Sequence, residues 1–191
     1  MAKVLIPLAQ GCEELEAVTL IDLFRRAGIE VISAGLDAEP VKASRGVVLV
    51  PDTTLDQVHD QAFDLIVLPG GLPGTERLNK DPRIKALVQR MAAAGKYVAA
   101  ICAAPSVLGN AGLLQGRKAT SYPGVLEKMA LSGVTILDNT PVVTDGRIVT
   151  SRGPGTALLF ALDLIEKLVG EAKRLEVAKG LLSDPHTGHP A

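Results

Sequence analysis

Tryptophan is absent from this 191-residue chain, and aromatic residues make up only 3% of it. The interior therefore has to be built from Val, Leu, Ile and Ala, a composition that suits a parallel sheet covered by helices on both faces. Cysteine is nearly as scarce. Cys12 and Cys102 stand 90 positions apart, too few and too distant for a disulfide framework or a metal cluster, so both thiols are expected reduced and the compartment cytoplasmic. No metal and no other cofactor is expected. Charge of one sign is missing as well: the formal net charge is −1 and the Lys and Arg residues are scattered, which leaves no nucleic-acid patch. No apolar run approaches the ~20 residues that cross a bilayer. Leu8-Ala9-Gln10-Gly11-Cys12 faintly resembles a lipoprotein cleavage site, but the apolar run before it falls short of a signal h-region. A buried first strand explains it better.

What the chain does have is an alternation of strand-like and helix-like segments. Its length fits one domain, 1–191, able to bury roughly 70% of its unfolded surface, with 183–191 expected to fray. Val4 to Ala9, Ile29 to Ala34, Val47 to Val50, Asp64 to Pro69, Tyr97 to Ile101, Val134 to Leu137 and Arg147 to Thr150 read as strands. Between them the period changes: Leu15, Val18, Leu20, Leu23, Phe24 and Ala27 recur at helical spacing until Gly28. A second helix is announced by Asp81-Pro82, a cap followed by proline at the first helical position, with Ile84, Leu87, Val88 and Met91 as its stripe. Helical patterns also cover about 156–169 and 171–182. Strands alternating with helices predict an α/β, doubly wound, mostly parallel sheet with helices on both faces. Ligands in such sheets sit beyond the carboxyl ends of the strands, which singles out three exits: Gly11 to Glu16, Gly70-Gly71, and Cys102.

Cys102 carries the strongest chemical signal. A buried strand runs into Cys102-Ala103-Ala104-Pro105 and a helix follows, the shape of a nucleophile elbow with small residues on each side. The helix N-terminus favours thiolate over thiol; the alternative is a small buried hydrophobe. Gly70-Gly71 permits close backbone approach and could aim an N–H at an oxyanion, or it is a tight loop. Glu13 and Glu14 suit a helix start, and Glu16, read by itself, is a solvated position. Cys12 reads as a neutral loop residue. His59, His186 and His189 are poorly placed for a Cys-His pair, which argues against a peptidase. Ser151 to Thr156 is a turn-rich strand-to-helix junction that either braces a site or caps a helix.

Together, Ile66 to Gly71, Ala99 to Pro105, Thr150 to Thr156 and the opening Gly11 to Val18 resemble the ThiJ/PfpI superfamily, in the branch of the Parkinson's-disease protein deglycase and its bacterial relatives. The resemblance runs to about residue 182. It implies a flavodoxin-like sandwich and a homodimer, with Cys102 as nucleophile and Glu16 beside it as a protonated carboxyl. It also implies backbone N–H groups of Gly71 and Ala103 at the oxyanion position, next to Gly70. Arg45 and Arg26 match family arginines at or near the dimer interface, and Arg152 and Pro154 belong to the matching junction. Where many relatives carry a histidine before proline, this chain has Tyr122, a poor general base near neutral pH. The implied activity is a cofactor-independent, glyoxalase III-type conversion of methylglyoxal or glyoxal, or removal of their early adducts from amines and thiols. The alternative is a non-enzymatic oxidative-stress sensor or chaperone working through oxidation of Cys102.

Overall fold

The computed structural model describes residues 1–184 and 186–188. Its central sheet has seven strands in the order β10-β11-β7-β6-β1-β2-β5. In chain order these are β1 (Lys3–Leu8), β2 (Glu30–Gly35), β5 (Thr53–Thr54), β6 (Leu65–Leu68), β7 (Tyr97–Ile101), β10 (Val142–Asp145) and β11 (Ile148–Ser151). Every pairing is parallel except β10 with β11. Two small sheets lie outside it, β3 (Val41–Lys42) with β4 (Val48–Leu49), and β8 (Lys118–Ala119) with β9 (Thr135–Ile136). The helices are α1 (Glu14–Arg26), α2 (Leu55–Val58), α3 (Leu72–Lys80), α4 (Pro82–Ala93), α5 (Pro105–Asn110), α6 (Ala157–Val169) and α7 (Glu171–Gly180).

The continuous apolar runs form strands because the sheet is buried on both faces, so a period of two sends alternate residues into two separate cores. Val4, Ile6, Leu65, Val67, Ala99 and Ile101 join the core under α1, α6 and α7. Their neighbours Leu5, Ile66, Leu68, Val98 and Ala100 join the core under α2 to α5. The α/β architecture expected from the alternation of segments is therefore the one observed, with the middle strands β1, β6 and β7 buried almost throughout.

Four local readings change. Val47 to Val50 contributes only the two-residue β4, paired antiparallel with β3 away from the main sheet. Of Val134 to Leu137, Thr135 and Ile136 pair with β8 alone. Helix α3 begins directly after Gly70-Gly71, in a stretch with no helical pattern assigned from the sequence. Proline costs nothing in a first helical turn, and Gly74 is there for close approach: a Cβ on it would lie 2.7 Å from the Cys12 backbone. The edge strand β10 reaches β11 through the two-residue turn Gly146-Arg147, with Gly146 at φ +61°, the backbone that marks a tight hairpin. Of the expected frayed tail, residues 185 and 189–191 lie outside the described residues. Ser183 is buried, and its N–H bonds the Ala178 carbonyl at 3.1 Å.

Helix α1 holds the most consequential difference. Its buried positions are Glu16, Ala17, Leu20, Leu23 and Phe24, while Leu15 and Val18 are about half exposed. The inward stripe is thus rotated by one position at the helix start, and it takes a carboxyl inside.

Phe160 of α6 is fully enclosed between that helix and the sheet. Replacing it with Ala should cost about 3–5 kcal/mol of unfolding free energy through lost burial and a residual cavity, measured by denaturant titration.

Candidate active site

The site lies at the carboxyl ends of β1, β6 and β7, where three loops meet. Strand β7 ends at Ile101, and Cys102 follows at φ +64°. That left-handed conformation costs a non-glycine residue about 1–2 kcal/mol, and the backbone around it is held on both sides. The Cys102 N–H donates to the Ser151 carbonyl at 3.0 Å, and its carbonyl accepts from the Tyr122 N–H at 2.8 Å. The elbow expected at Cys102 is present, but α5 begins only at Pro105 and is six residues long. The Glu16 carboxyl and the backbone N–H groups of Gly71 and Ala103 face the sulfur.

Glu16 enters from the first turn of α1, fully buried. Its Oε2 accepts from the Gly70 N–H at 2.7 Å, while Oε1 is enclosed with no ordinary hydrogen-bond partner among the described residues. Gly70 explains how the carboxyl and the cysteine come together. A Cβ there would stand 2.6 Å from the Cys102 Cβ and 2.8 Å from Glu16 Oε2, distances no real side chain tolerates. Gly71, at φ +86°, is equally constrained: a Cβ would collide with the Gly11 carbonyl oxygen and sit 2.6 Å from the Glu13 nitrogen. The loop after β1 is stitched onto the loop after β6 by the Glu13 N–H, which donates to the Gly70 carbonyl at 2.9 Å.

Burial pushes the Glu16 carboxyl up to about 7, against the Gly70 N–H that favours its ionised form. Burial, and then the Glu16 charge, push the Cys102 thiol up to about 12, against the N–H groups of Gly71 and Ala103. The thiol is half-buried, so Cys102 is not the freely solvated thiolate that its elbow position suggests. The repulsive contribution exists only while Glu16 is ionised. A proton on Glu16 removes it and turns Oε1 or Oε2 into a donor toward sulfur, so the two groups are coupled through one proton.

A cleft of about 360 Å³ opens over this pair. Leu72, Pro73, Tyr122, Val125 and Pro154 supply its apolar lining; Glu13, Ser44 and Arg45 supply its polar lining. Tyr122 is carried by a segment tied down at several points. Thr120 N–H donates to Thr150 Oγ1 at 2.9 Å, and Leu126 N–H to Ser121 Oγ at 3.3 Å. Ser44 Oγ lies 2.8 Å from Glu13 Oε2 and 3.0 Å from Glu14 Oε2. Arg152 borders the neighbouring hollow by Tyr122 and Pro154. Arg26 is not brought to the cleft: it pairs with Asp22 at 2.7 Å near the far end of α1. Cys12 is buried against Gly74, away from the cleft lining, and burial and then Glu14 push its thiol up to about 12.

Residue-by-residue reading misses Leu72, Val125 and Ser44 as cleft residues, because nothing in their local sequence separates them from ordinary loop positions. No group of three or more His, Cys, Asp or Glu side chains is placed to hold a metal among the described residues. Nor is any helix there long and apolar enough to cross a membrane.

A parallel α/β sheet with a strained cysteine elbow and a buried carboxyl beside it defines a class of cysteine-centred α/β proteins. Residues 2–167 match the model of the DJ-1/PfpI family, and the chain belongs to that family. It is 46% identical to Protein dj-1beta of Drosophila melanogaster, over 93% of this chain and 95% of that one. The crystal structure of Drosophila DJ-1beta superposes with a TM-score of 0.91 at 45% identity, covering 95% of this chain and 97% of that chain. Protein DJ-1 homolog A of Arabidopsis thaliana is 47% identical over 97% of this chain but only 47% of its own length, so the chain spans about half of that relative. A Caenorhabditis elegans relative named glutathione-independent glyoxalase DJR-1.2 is 39% identical over 94% of this chain and 95% of its own.

The raised Glu16 has a stability consequence. The folded state holds this proton up to about pH 7, whereas an unfolded glutamate releases it near 4.5. Stability at this position is therefore fully present below pH 4.5 and is lost as pH rises toward 7, by roughly 3 kcal/mol. Glu16→Gln should remove that loss, so the drop in unfolding free energy between pH 4.5 and pH 8 should be smaller in the variant than in wild type by about that amount. Equal drops in the two proteins would show that Glu16 is not protonated in the folded state.

Proposed function

We propose that the chain is a cysteine-dependent, cofactor-independent glyoxalase that converts small α-oxoaldehydes into 2-hydroxy acids. The observation that carries this reading is the convergence of Cys102, Glu16 and the N–H groups of Gly71 and Ala103 at the floor of one cleft. The worm relative's name supports the same reaction class.

The chemistry needs one nucleophile and one mobile proton. The Cys102 thiolate adds to the aldehyde carbon, and the carbonyl electron pair moves to oxygen. The resulting alkoxide takes the proton of Glu16, giving a hemithioacetal. Glu16, now a carboxylate, removes the hydrogen from that same carbon, and the electron pair passes to the neighbouring ketone as an enediolate. Return of the proton to the neighbouring carbon leaves a thioester of the 2-hydroxy acid on Cys102. Water cleaves the thioester, releasing the acid and restoring the thiol. The sum is addition of one water to the oxoaldehyde, with no external oxidant or reductant. A carboxyl poised near pH 7 suits both halves of Glu16's task, because it gives and takes a proton with little penalty at neutral pH. The Gly71 and Ala103 N–H groups favour the negative charge that develops at the reacting centre. Removal of early adducts from amines or thiols would use the same attack on a masked aldehyde.

We also propose a homodimer, in keeping with the family resemblance. Leu15 and Val18 on the outer face of α1, with Val47, Val48 and Val50 by the β3–β4 hairpin, leave five large aliphatic side chains 46–80% exposed. Burying such a set on a second copy offsets its exposure to water. Val48→Asp should shift the sedimentation profile toward monomer; an unchanged profile would place the interface elsewhere.

The test of the activity is lactate formation from methylglyoxal in buffer free of amines and thiols. Wild type should turn over and Cys102→Ser should fall to background. Glu16→Gln should lose about 100- to 10,000-fold in rate while Cys102 stays open to alkylation. Turnover retained in Cys102→Ser would overturn the nucleophile assignment. No turnover in wild type would favour redox sensing instead.

A further inference from the structure

The cleft is much larger than the smallest oxoaldehydes. Methylglyoxal has five non-hydrogen atoms and takes the space of about three to four waters, roughly 100 Å³, whereas the cleft holds about 360 Å³. Room therefore remains for a larger group on the carbon next to the aldehyde, and the polar and apolar linings differ in what they offer it.

The polar lining carries one charge of each sign, Glu13 and Arg45. Ser44 Oγ is shared by Glu13 and Glu14, and the backbone N–H of Arg45 donates to Glu14 at 2.8 Å. In the apolar lining, Leu72 is 69% exposed and Tyr122 is 52% exposed, both on the rim of a cleft whose floor is Cys102. Large apolar side chains held open beside a reactive sulfur gain most when a ligand covers them. Tyr122 is held firmly enough to act as a wall. Its N–H is bonded to the Cys102 carbonyl, and a Cβ at Gly153 would lie 3.4 Å from its ring. An aromatic ring also prefers a flat partner, offset or edge-on.

We propose that the cleft selects oxoaldehydes bearing a flat apolar substituent, seated against Leu72 and Tyr122 with the aldehyde carbon at Cys102. This rests on the glyoxalase reading for its chemistry, but not for its recognition. The chemical balance is the same as for methylglyoxal: phenylglyoxal plus water gives mandelate.

Two measurements test it. In the first, kcat/KM is compared for mandelate from phenylglyoxal and glycolate from glyoxal. The aryl-to-glyoxal ratio in wild type should be tenfold or more, and Leu72→Ala and Tyr122→Ala should each lower it about tenfold, the usual value of lost apolar contact in a pocket. A ratio near one, or one that neither truncation moves, overturns the proposal. In the second, alkylation of Cys102 by N-phenyliodoacetamide and by iodoacetamide is compared, each normalised to a free thiol. The phenyl reagent should be favoured at least fivefold in wild type and lose that advantage in both truncations. Tyr122→Phe and Leu72→Met should retain it, which separates lost contact from lost folding. If wild type turns over neither oxoaldehyde, the glyoxalase reading fails and the alkylation ratio alone decides the apolar seat; equal normalised rates would remove it.

Discussion

Three strand ends have to approach within side-chain-free distance before the site of this protein can exist. At Gly70 the Cys102 Cβ and the Glu16 carboxyl crowd a position where no Cβ fits, and at Gly71 the backbone presses on the loop after β1. The strain at Cys102, the burial of Glu16 and the placement of the Gly71 N–H all follow from that packing. The parallel sheet makes it affordable in free energy, because β1, β6 and β7 are braced along their length by hydrogen bonds and by two aliphatic cores. A strained residue persists only when its surroundings over-determine it, and here both its backbone groups are held by other elements.

The electrostatics follow from the same burial. A carboxyl enclosed with one N–H donor and one empty oxygen resists ionisation, and a sulfur next to it resists ionisation for as long as that carboxyl is charged. Neither group is well described alone. The pair behaves as a device that stores one proton near neutrality, which is what an addition followed by a proton shift between neighbouring carbons requires. Cys12 shows the contrast. It is also buried near acidic side chains, but it is fully enclosed and does not line the cleft.

The sheet is shared with the family's solved structures, and the cleft above it is lined by residues of this chain's own loops. Tyr122 stands where many relatives are expected to carry a histidine. It brings no base of suitable strength to the site, but it brings a large ring surface, and Leu72 adds another apolar contact. In the proposed reaction such side chains bear on which molecule is held rather than on the attack itself, since Cys102 and Glu16 lie beneath them.

The sequence by itself determined the architecture, because aliphatic runs alternating with helical periods can satisfy their burial only in a sheet covered on both sides. It also marked Cys102, since a buried strand ending in small residues before a helix has few other uses. Tertiary structure shows how Glu16, which the family resemblance sets beside Cys102, comes to lie there. Read locally it is a surface charge on a helix whose apolar stripe begins at Leu15, and only the Gly70 loop packed against α1 turns that face inward. It also decided α3, where Gly74 is packed against the Cys12 backbone, and it gathered Ser44, Leu72 and Val125 around one cleft. The physical reason is common to all of these. Periodicity along a chain reports which side of an element is apolar, whereas the pKa of a carboxyl and the walls of a cleft are set by neighbours distant in sequence.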